Sequence, residues 1–418
     1  MAQLSDDCFA FGSDLLPIAG ALDLLEAKLA PVVEHETVSL KAARGRILAE
    51  ALAAGRSVPP HDNSAVDGYA VNFDDLNPDA PTLLPIVGRA AAGHPLGRVA
   101  GRGAAVRIFT GAPMPEGTDT VLMQEDCREV AGGIEIPHGI KRGSNRRRAG
   151  EDIKEGALVL GAGQRLRAQE IGLAASLGLS ELPVFRRLRV ALFSTGDEVR
   201  EPGTALPPGA IYDANRYVLH ALIEGLGAEV IDLGILADDP TTIGRALTTA
   251  AAESDLIVSS GGMSTGEEDH VKAAVESRGK LHFWRLAIKP GRPVAMGQVG
   301  RVPFMGLPGN PVAVMVTFLL LARPLVLRLS GAAEHAPRRF RVTAGFPYKK
   351  RSNRCEFVRA RLERGADGGW VAQKFPRDGA GILTSMVESD GLVEIGEGVS
   401  RLEPGASVAF LPFSEVIE

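Results

Sequence analysis

Cysteine is scarce in this chain. Three occur in 418 residues, at Cys8, Cys127 and Cys355, an odd number without metal-ligand spacing. That excludes a disulfide framework and a thiolate zinc site, and it fits a reducing compartment. The 8 histidines are scattered, and only His61 and His270 border polar loops. Neither has a partner at zinc-site spacing. Positive charge is not in excess: the formal net charge is −5, which argues against attraction of the whole molecule to nucleic acid. The basic run Arg146-Arg147-Arg148 has no interleaved aromatics and is followed by Glu151-Asp152. It reads as solvated surface or as a patch that steers an anionic substrate. The longest apolar run, residues 312–322, has Thr317 inside it and ends at Arg323-Pro324, far short of a membrane span. The N-terminus shows no basic stretch leading into an apolar one, so no secretory signal is expected. A cytoplasmic protein with no membrane and no nucleic-acid partner is the expectation.

Glycine and proline are abundant, 49 and 27 residues, and imply many turns and strands. The length sets a prior of roughly two to four domains. Residues 1–56 read as helical: Leu22, Leu25 and Leu29 share one helical face, and Ser39 is placed to cap a helix over 40–54. From 57 to about 150, short apolar runs at 83–87, 105–109, 120–124 and 133–137 predict a small β domain, with a hairpin at Ala131-Gly132-Gly133. Residues 168–178 are helical. From Arg186 strands and helices alternate, with Asp239-Pro240 a strong helix start. Alternation of this kind predicts a parallel sheet with helices on both faces and ligands at the C-terminal strand ends. After Gly331 the texture is β again.

Four polar loops fall at or just beyond those strand ends: 195–198, 213–215, 261–269 and 307–311. There is no HExxH, no Walker lysine motif, no GxGxxG and no Ser–His–Asp order. What remains is a phosphate-handling site. In 255–270, a strand runs into Gly261-Gly262 with Ser264, Thr265 and Gly266, an anion cradle ahead of a helix N-terminus. Acidic residues follow where an anion should sit, a conflict that magnesium between carboxylate and phosphate would remove. Asp197, Glu198, Asp213 and Asp269 are the candidate ligands, though each taken alone is equally a helix cap or a solvated turn. Lys289-Pro290-Gly291-Arg292-Pro293 holds two cations apart on a stiff turn, which suits an oxyanion.

These segments, in this order, resemble the molybdopterin molybdenumtransferases, the MoeA family that includes the gephyrin E domain. The resemblance is carried by Asn63-Ser64-Ala65-Val66-Asp67-Gly68-Tyr69-Ala70, Phe109-Thr110-Gly111-Ala112-Pro113, Gly150-Glu151-Asp152, Ser194-Thr195-Gly196-Asp197-Glu198, Tyr212-Asp213-Ala214-Asn215-Arg216, the 260–269 loop, Lys289-Pro290-Gly291-Arg292-Pro293 and Leu307-Pro308-Gly309-Asn310-Pro311-Val312. It implies a multidomain α/β and β fold: a central doubly wound α/β domain (185–334) like the molybdopterin adenylyltransferases, two small β domains (57–151 and a barrel at 335–418), and an elongated mixed domain (1–56 plus 152–184). It further implies a homodimer whose cleft is completed by the partner's Asp67 domain. The implied reaction is magnesium-dependent insertion of molybdate into adenylyl-molybdopterin with release of AMP.

Site roles follow from the same resemblance. Asp67, Thr110, Asp152, Glu198, Asp269 and Lys289 would be catalytic, and Asp197, Asp213 and Asp269 would hold magnesium. Thr195, Gly196, Asn215, Gly261, Gly262, Ser264, Gly266, Pro308, Gly309 and Asn310 would bind the pterin adenylate. Molybdate would sit on Lys289, Arg292, Pro293, Arg354 and Ser385. Expected partners are a molybdopterin adenylyltransferase and molybdoenzyme-maturation proteins. Arg292 stands where many relatives carry Lys and Ala313 where they often carry Ser, which leaves tungstate open as the oxyanion. Two other readings compete: a carrier or scaffold that kept the fold, and an adenylyltransferase, against which the flanking domains argue.

Overall fold

The computed structural model describes residues 15–261 and 270–417. The N-terminal helix is Ile18–Lys28, with Leu25 and the following Leu29 buried. The helix expected over 40–54 is absent. His35–Ser39 is instead a strand paired antiparallel with Glu181–Phe185, and Leu52–Ala53 pairs with Leu158–Leu160. Only a single 3-10 turn, Leu40–Ala42, forms after Ser39, whose side chain makes no cap. The reason is tertiary. Gly45 turns the chain with φ 76, and Ala43 and Leu48 are buried against Leu182 and Val184. Backbone pairing with residues over a hundred positions away outcompetes a helix that could bury only one face.

The chain between these pairings forms a β unit. Its four-stranded sheet runs Ile86–Ala90, Ala105–Ile108, Gly68–Val71, Thr120–Met123, and a second sheet joins Thr82–Leu84, Gly133–Ile136 and Arg128–Val130. The hairpin at Ala131-Gly132 forms as expected, with Gly132 at φ 100.

The central unit is an α/β sheet. Its elements are β1 (Arg189–Thr195), α1 (Asn215–Gly225), β2 (Glu229–Leu236), α2 (Pro240–Glu253), β3 (Leu256–Ser260), α3 (His270–Glu276), β4 (Gly279–Arg285), β5 (Pro293–Val299), β6 (Val302–Leu307) and α4 (Pro311–Leu329). The strand order is β2-β1-β3-β6-β5-β4, parallel through the first four and antiparallel at the last two pairings. The antiparallel edge departs from the all-parallel expectation because Gly300-Arg301 closes a two-residue hairpin, with Gly300 at φ 61. Alternate side chains of each strand enter opposite cores. Val190, Leu192, Leu256, Val258 and Met305 pack with α1 and α4, while Ala191, Phe193, Ile257 and Phe304 pack with α2 and α3. Helices therefore cover both faces, and the central strands read as continuous apolar runs. The α2 start is as expected: Asp239 accepts from Thr242 N–H at 2.7 Å, with Pro240 next.

The apolar helix α4 is long enough to cross a membrane, but 83% of its apolar window is buried inside the protein. It is the core helix of this unit. The C-terminal unit is a closed barrel: Cys355–Arg364, Trp370–Lys374, Phe340–Ala344, Ser407–Pro412 and Gly391–Ile395 pair in a ring, the last strand returning to the first. Closure leaves no sheet edge exposed. A short strand from the α/β unit, Ile288–Lys289, adds in parallel beside Cys355 and Glu356.

Candidate active site

The β1 and β3 strand ends meet at a close backbone approach. Gly261 has φ 83, and a Cβ there would stand 2.8 Å from the Thr195 carbonyl oxygen. Beside it begins α4, whose Asn310 N-cap makes no side-chain bond to the helix. Pro311 has no N–H and the Val314 N–H is taken by the Asn310 carbonyl at 2.9 Å, so α4 brings its positive dipole end rather than a row of free donors. Val312 N–H donates across to the Ala380 carbonyl of the barrel unit at 2.9 Å, joining the two units over the site.

Between them lies a cavity of about 770 Å³. One end is lined by Thr195, Gly196, Glu198, Asp238 and Gly261, the floor by Pro308, Gly309, Asn310 and Ala313, and the far end by Lys289, Pro293, Tyr348, Glu356 and Arg359. A smaller crevice of about 90 Å³ continues past Thr195, Glu198 and Gly261 to Asp213 and Asn215. Buried polar atoms without a partner gather here among the described residues: Ser194 Oγ, Thr195 Oγ1 and Asn215 Oδ1. Buried polar groups left unsatisfied cost about 1–3 kcal/mol each. Three around one crevice mark a surface completed by a polar ligand. Asn215 Nδ2 donates to the Gly309 carbonyl at 2.7 Å, which fixes the orientation of the amide.

The far end carries the charge. Lys289 Nζ is 3.3 Å from Glu356 Oε2. Glu356 is 1% exposed and also accepts from Tyr348 OH at 2.7 Å and from Arg354 Nε and Nη2 at 2.8 and 2.6 Å. Burial pushes its carboxyl up, but the Tyr348 and Arg354 hydrogen bonds prevail and hold it below the usual range. Arg359 is buried, with Nε on Ser385 Oγ at 3.0 Å and Nη2 on the Gly379 carbonyl at 3.1 Å. Burial lowers its pKa from the usual guanidinium value, yet a guanidinium stays charged. The cavity thus combines the Thr195 and Tyr348 hydroxyls, the start of α4 and two cations, Lys289 and Arg359, with the carboxylates Glu198, Asp238, Glu356 and Asp378.

Nine sequence-predicted residues line the cavity: Thr195, Gly196, Glu198, Gly261, Lys289, Pro293, Pro308, Gly309 and Asn310. Asp213 and Asn215 line the crevice. Others sit apart. Asp67 Oδ1 accepts from Thr110 N–H and Oγ1–H at 2.8 Å each, bonds that hold its carboxyl below the usual range, but this pair is on the β unit and outside the cavity. Asp152 is exposed, with its N–H on the Val58 carbonyl. Arg292 and Arg354 are not among the lining residues, and Ser385 lies behind Arg359. Gly262, Ser264, Gly266 and Asp269 fall outside the described residues.

The proposed magnesium ligands do not converge among the described residues. Asp197 is exposed, and Asp213 gives its oxygens to Arg216 N–H and Nε at 3.1 Å each. Arg216 in turn binds Asp232 and Glu201. No group of three or more His, Cys, Asp or Glu side chains is placed to hold a metal among the described residues.

Sequence reasoning missed Arg359, Tyr348, Glu356 and Asp238. The first three lie on the barrel unit, remote in sequence from the strand-end loops. The available signal was a charged residue inside an apolar strand, Phe357-Val358-Arg359-Ala360.

Comparison with known proteins accounts for the whole architecture. Residues 16–178 match the MoeA N-terminal region (domain I and II), 191–328 a probable molybdopterin binding domain, and 341–413 the MoeA C-terminal region (domain IV). The chain is 38% identical to a molybdopterin molybdenumtransferase of Haemophilus influenzae, over 92% of this chain and 95% of that one. It is 40% identical to that of a Nostoc species over 74% of this chain and 73% of that one. Among solved structures, a molybdopterin biosynthesis MoeA protein from Pyrococcus horikoshii superposes with TM-score 0.82 at 28% identity, covering 96% of this chain and 100% of that chain. A second structure of a MoeA protein from this source gives TM-score 0.78 at 32% identity, with 96% and 99% covered. The fold and cleft define a multidomain α/β transferase of molybdenum cofactor biosynthesis. The chain belongs to the MoeA family, whose members matched here are molybdopterin molybdenumtransferases.

Proposed function

We propose that the protein inserts molybdate into adenylyl-molybdopterin, releasing AMP and giving molybdenum cofactor. The observation that carries this reading is the cavity itself: it joins the α/β strand ends at Thr195, Gly196 and Gly261 to Lys289 and Arg359, the two cations in its lining. The pterin adenylate lies along the cavity over Thr195, Gly196, Gly261 and Gly309, with Asn215 and Asn310 beside it. Molybdate, a tetrahedral dianion, sits on Lys289 with Arg359 joining it. Arg292, Pro293, Arg354 and Ser385 support that end from behind or beside it. A water activated by the oxyanion adds to the adenylate phosphorus, and the pyrophosphate P–O bond breaks. The molybdopterin phosphate is the leaving group, and AMP departs carrying the water oxygen. The two pterin dithiolene thiols pass their protons to one molybdate oxo ligand, which leaves as water as two Mo–S bonds form. The N-terminus of α4 and Lys289 stabilise the charge that develops.

Magnesium dependence belongs to the proposal as charge neutralisation of the pyrophosphate. The described donor set does not fit a metal cage, so no step runs through the ion. A homodimer whose Asp67, Thr110 and Asp152 complete the partner's cleft explains why these residues lie off the cavity of their own chain. The same reading places the protein in the cytoplasm beside an adenylyltransferase and molybdoenzyme-maturation proteins.

The test is AMP release from adenylyl-molybdopterin with magnesium, titrated with molybdate and with tungstate. Molybdate-dependent release at low oxyanion concentration supports the reading and shows that Arg292 and Ala313 are tolerated. Tight nucleotide binding without AMP release under either oxyanion would overturn it in favour of a carrier.

A further inference from the structure

A buried carboxylate beside the lysine of an anion site needs an explanation. Glu356 is 1% exposed, lines the cavity, and stands 3.3 Å from Lys289 Nζ. Its other contacts are fixed: Tyr348 OH on Oε2 at 2.7 Å, and Arg354 Nε and Nη2 on Oε1 at 2.8 and 2.6 Å. The backbone repeats the link, since Lys289 pairs with Glu356 where the short strand of the α/β unit joins the barrel. Cys355 N–H donates to the Ala287 carbonyl at 2.7 Å just before it. Among the described residues Lys289 has no other ion-pair partner, and its side chain is 54% exposed. A flexible four-carbon stem would sample many positions without this anchor.

The charge count is also informative. Around this end stand three cations, Lys289, Arg354 and Arg359, and one carboxylate, Glu356. Lys374 and Asp378 cancel one another at 2.9 Å. Lys350 Nζ, on the Arg354 carbonyl at 2.7 Å, adds a further cation beside this end, so Glu356 tempers an excess of positive charge.

We propose that Glu356 is a positioning residue of the oxyanion site: it anchors Lys289 across the joint between the α/β unit and the barrel, and its charge tempers the positive excess there. This rests on the oxyanion reading above. Replacing Glu356 by Gln keeps the carbonyl acceptor for Arg354 on Oε1 and puts an NH2 donor where Oε2 faced Tyr348 and Lys289, which removes the charge that holds Lys289.

The experiment measures equilibrium binding of molybdate and of perrhenate, a monoanion of similar shape, to wild-type, Glu356→Gln and Glu356→Asp protein, alongside kcat for AMP release. For Glu356→Gln, loss of the Lys289 anchor weakens both anions, while the molybdate-to-perrhenate affinity ratio rises at least about threefold, because attraction scales with the ligand charge. Its kcat falls about tenfold or more, because the ammonium is no longer placed. Glu356→Asp keeps the charge, so its dianion-to-monoanion preference stays near wild type while kcat falls. Thermal unfolding identifies variants that have lost structure. In folded Glu356→Gln protein, weakening of both anions at an unchanged ratio, or unchanged binding and kcat, would sink the assignment. If wild-type protein binds neither molybdate nor tungstate, the oxyanion reading itself fails and the role of Glu356 falls with it.

Discussion

Replacing Gly291 by alanine tests whether Lys289 is held by a rigid turn. Gly291 has φ 103, and a Cβ there would sit 2.2 Å from Thr317 Oγ1 and 3.3 Å from the Ala313 carbonyl oxygen. The backbone conformation alone costs an alanine about 1–2 kcal/mol. Thr317 is fully buried on α4 and cannot withdraw, so overpacking adds about 1–3 kcal/mol. A total of about 2–5 kcal/mol forces the turn to move, and Lys289 and Pro293 move with it. The expected outcome is a lower denaturation midpoint and molybdate binding weakened about tenfold, since ligand groups displaced by even an ångström lose most of their advantage. Unfolding in guanidinium chloride and equilibrium dialysis of molybdate read the two effects separately. Adding Thr317→Ala removes the overlapping hydroxyl but not the backbone strain, so the double variant recovers only the packing share. An unchanged midpoint with unchanged molybdate binding would refute the reasoning. Absence of any recovery in the double variant would show that the overlap with Thr317 is not the source of the cost.

Two further outcomes follow from the same geometry. If Asp67 and Thr110 serve the partner's cleft, Asp67→Ala and Lys289→Ala proteins are each inactive alone. Mixed dimers then carry one intact cleft and restore about a quarter of wild-type AMP release in an equal mixture; inactive mixed dimers would show that both residues serve one chain. At acid pH, Asp255 governs part of the stability. Burial raises its carboxyl, but Arg186 at 2.7 and 2.8 Å and the Arg189 N–H at 2.8 Å outweigh this and hold it low. A depressed folded pKa contributes stability that is present above the unfolded value near 3.9 and lost as pH falls through the folded value. Asp255→Asn protein is therefore less stable at neutral pH, and its stability falls less steeply below about pH 4. Equal acid slopes for variant and wild type would count against this role.

The sequence marked the α/β unit well because its signals are local. Apolar runs such as Leu256-Ile257-Val258 and the Asp239-Pro240 helix start depend on neighbouring residues, and each reappears at its expected place. The 40–54 segment failed for the opposite reason: its partners, Leu158–Leu160, Arg165 and Val184, lie over a hundred residues away, so tertiary pairing overrode helical periodicity. At the site, Lys289 and the Thr195 and Gly309 loops were legible from their turn chemistry. Tyr348, Glu356 and Arg359 were not, because their role depends on barrel closure.

The sequence by itself determined the family, the α/β alternation and the strand-end loops that line the cavity at Thr195 and Gly309, since ordered short motifs encode backbone turns directly. Only the tertiary structure decided which charges share the cavity. It committed Asp213 to Arg216, placed Asp67 and Thr110 off the cavity, and brought Glu356 against Lys289 through a strand that crosses between two units. Charges act through space, and the sequence does not state which side chains will share it.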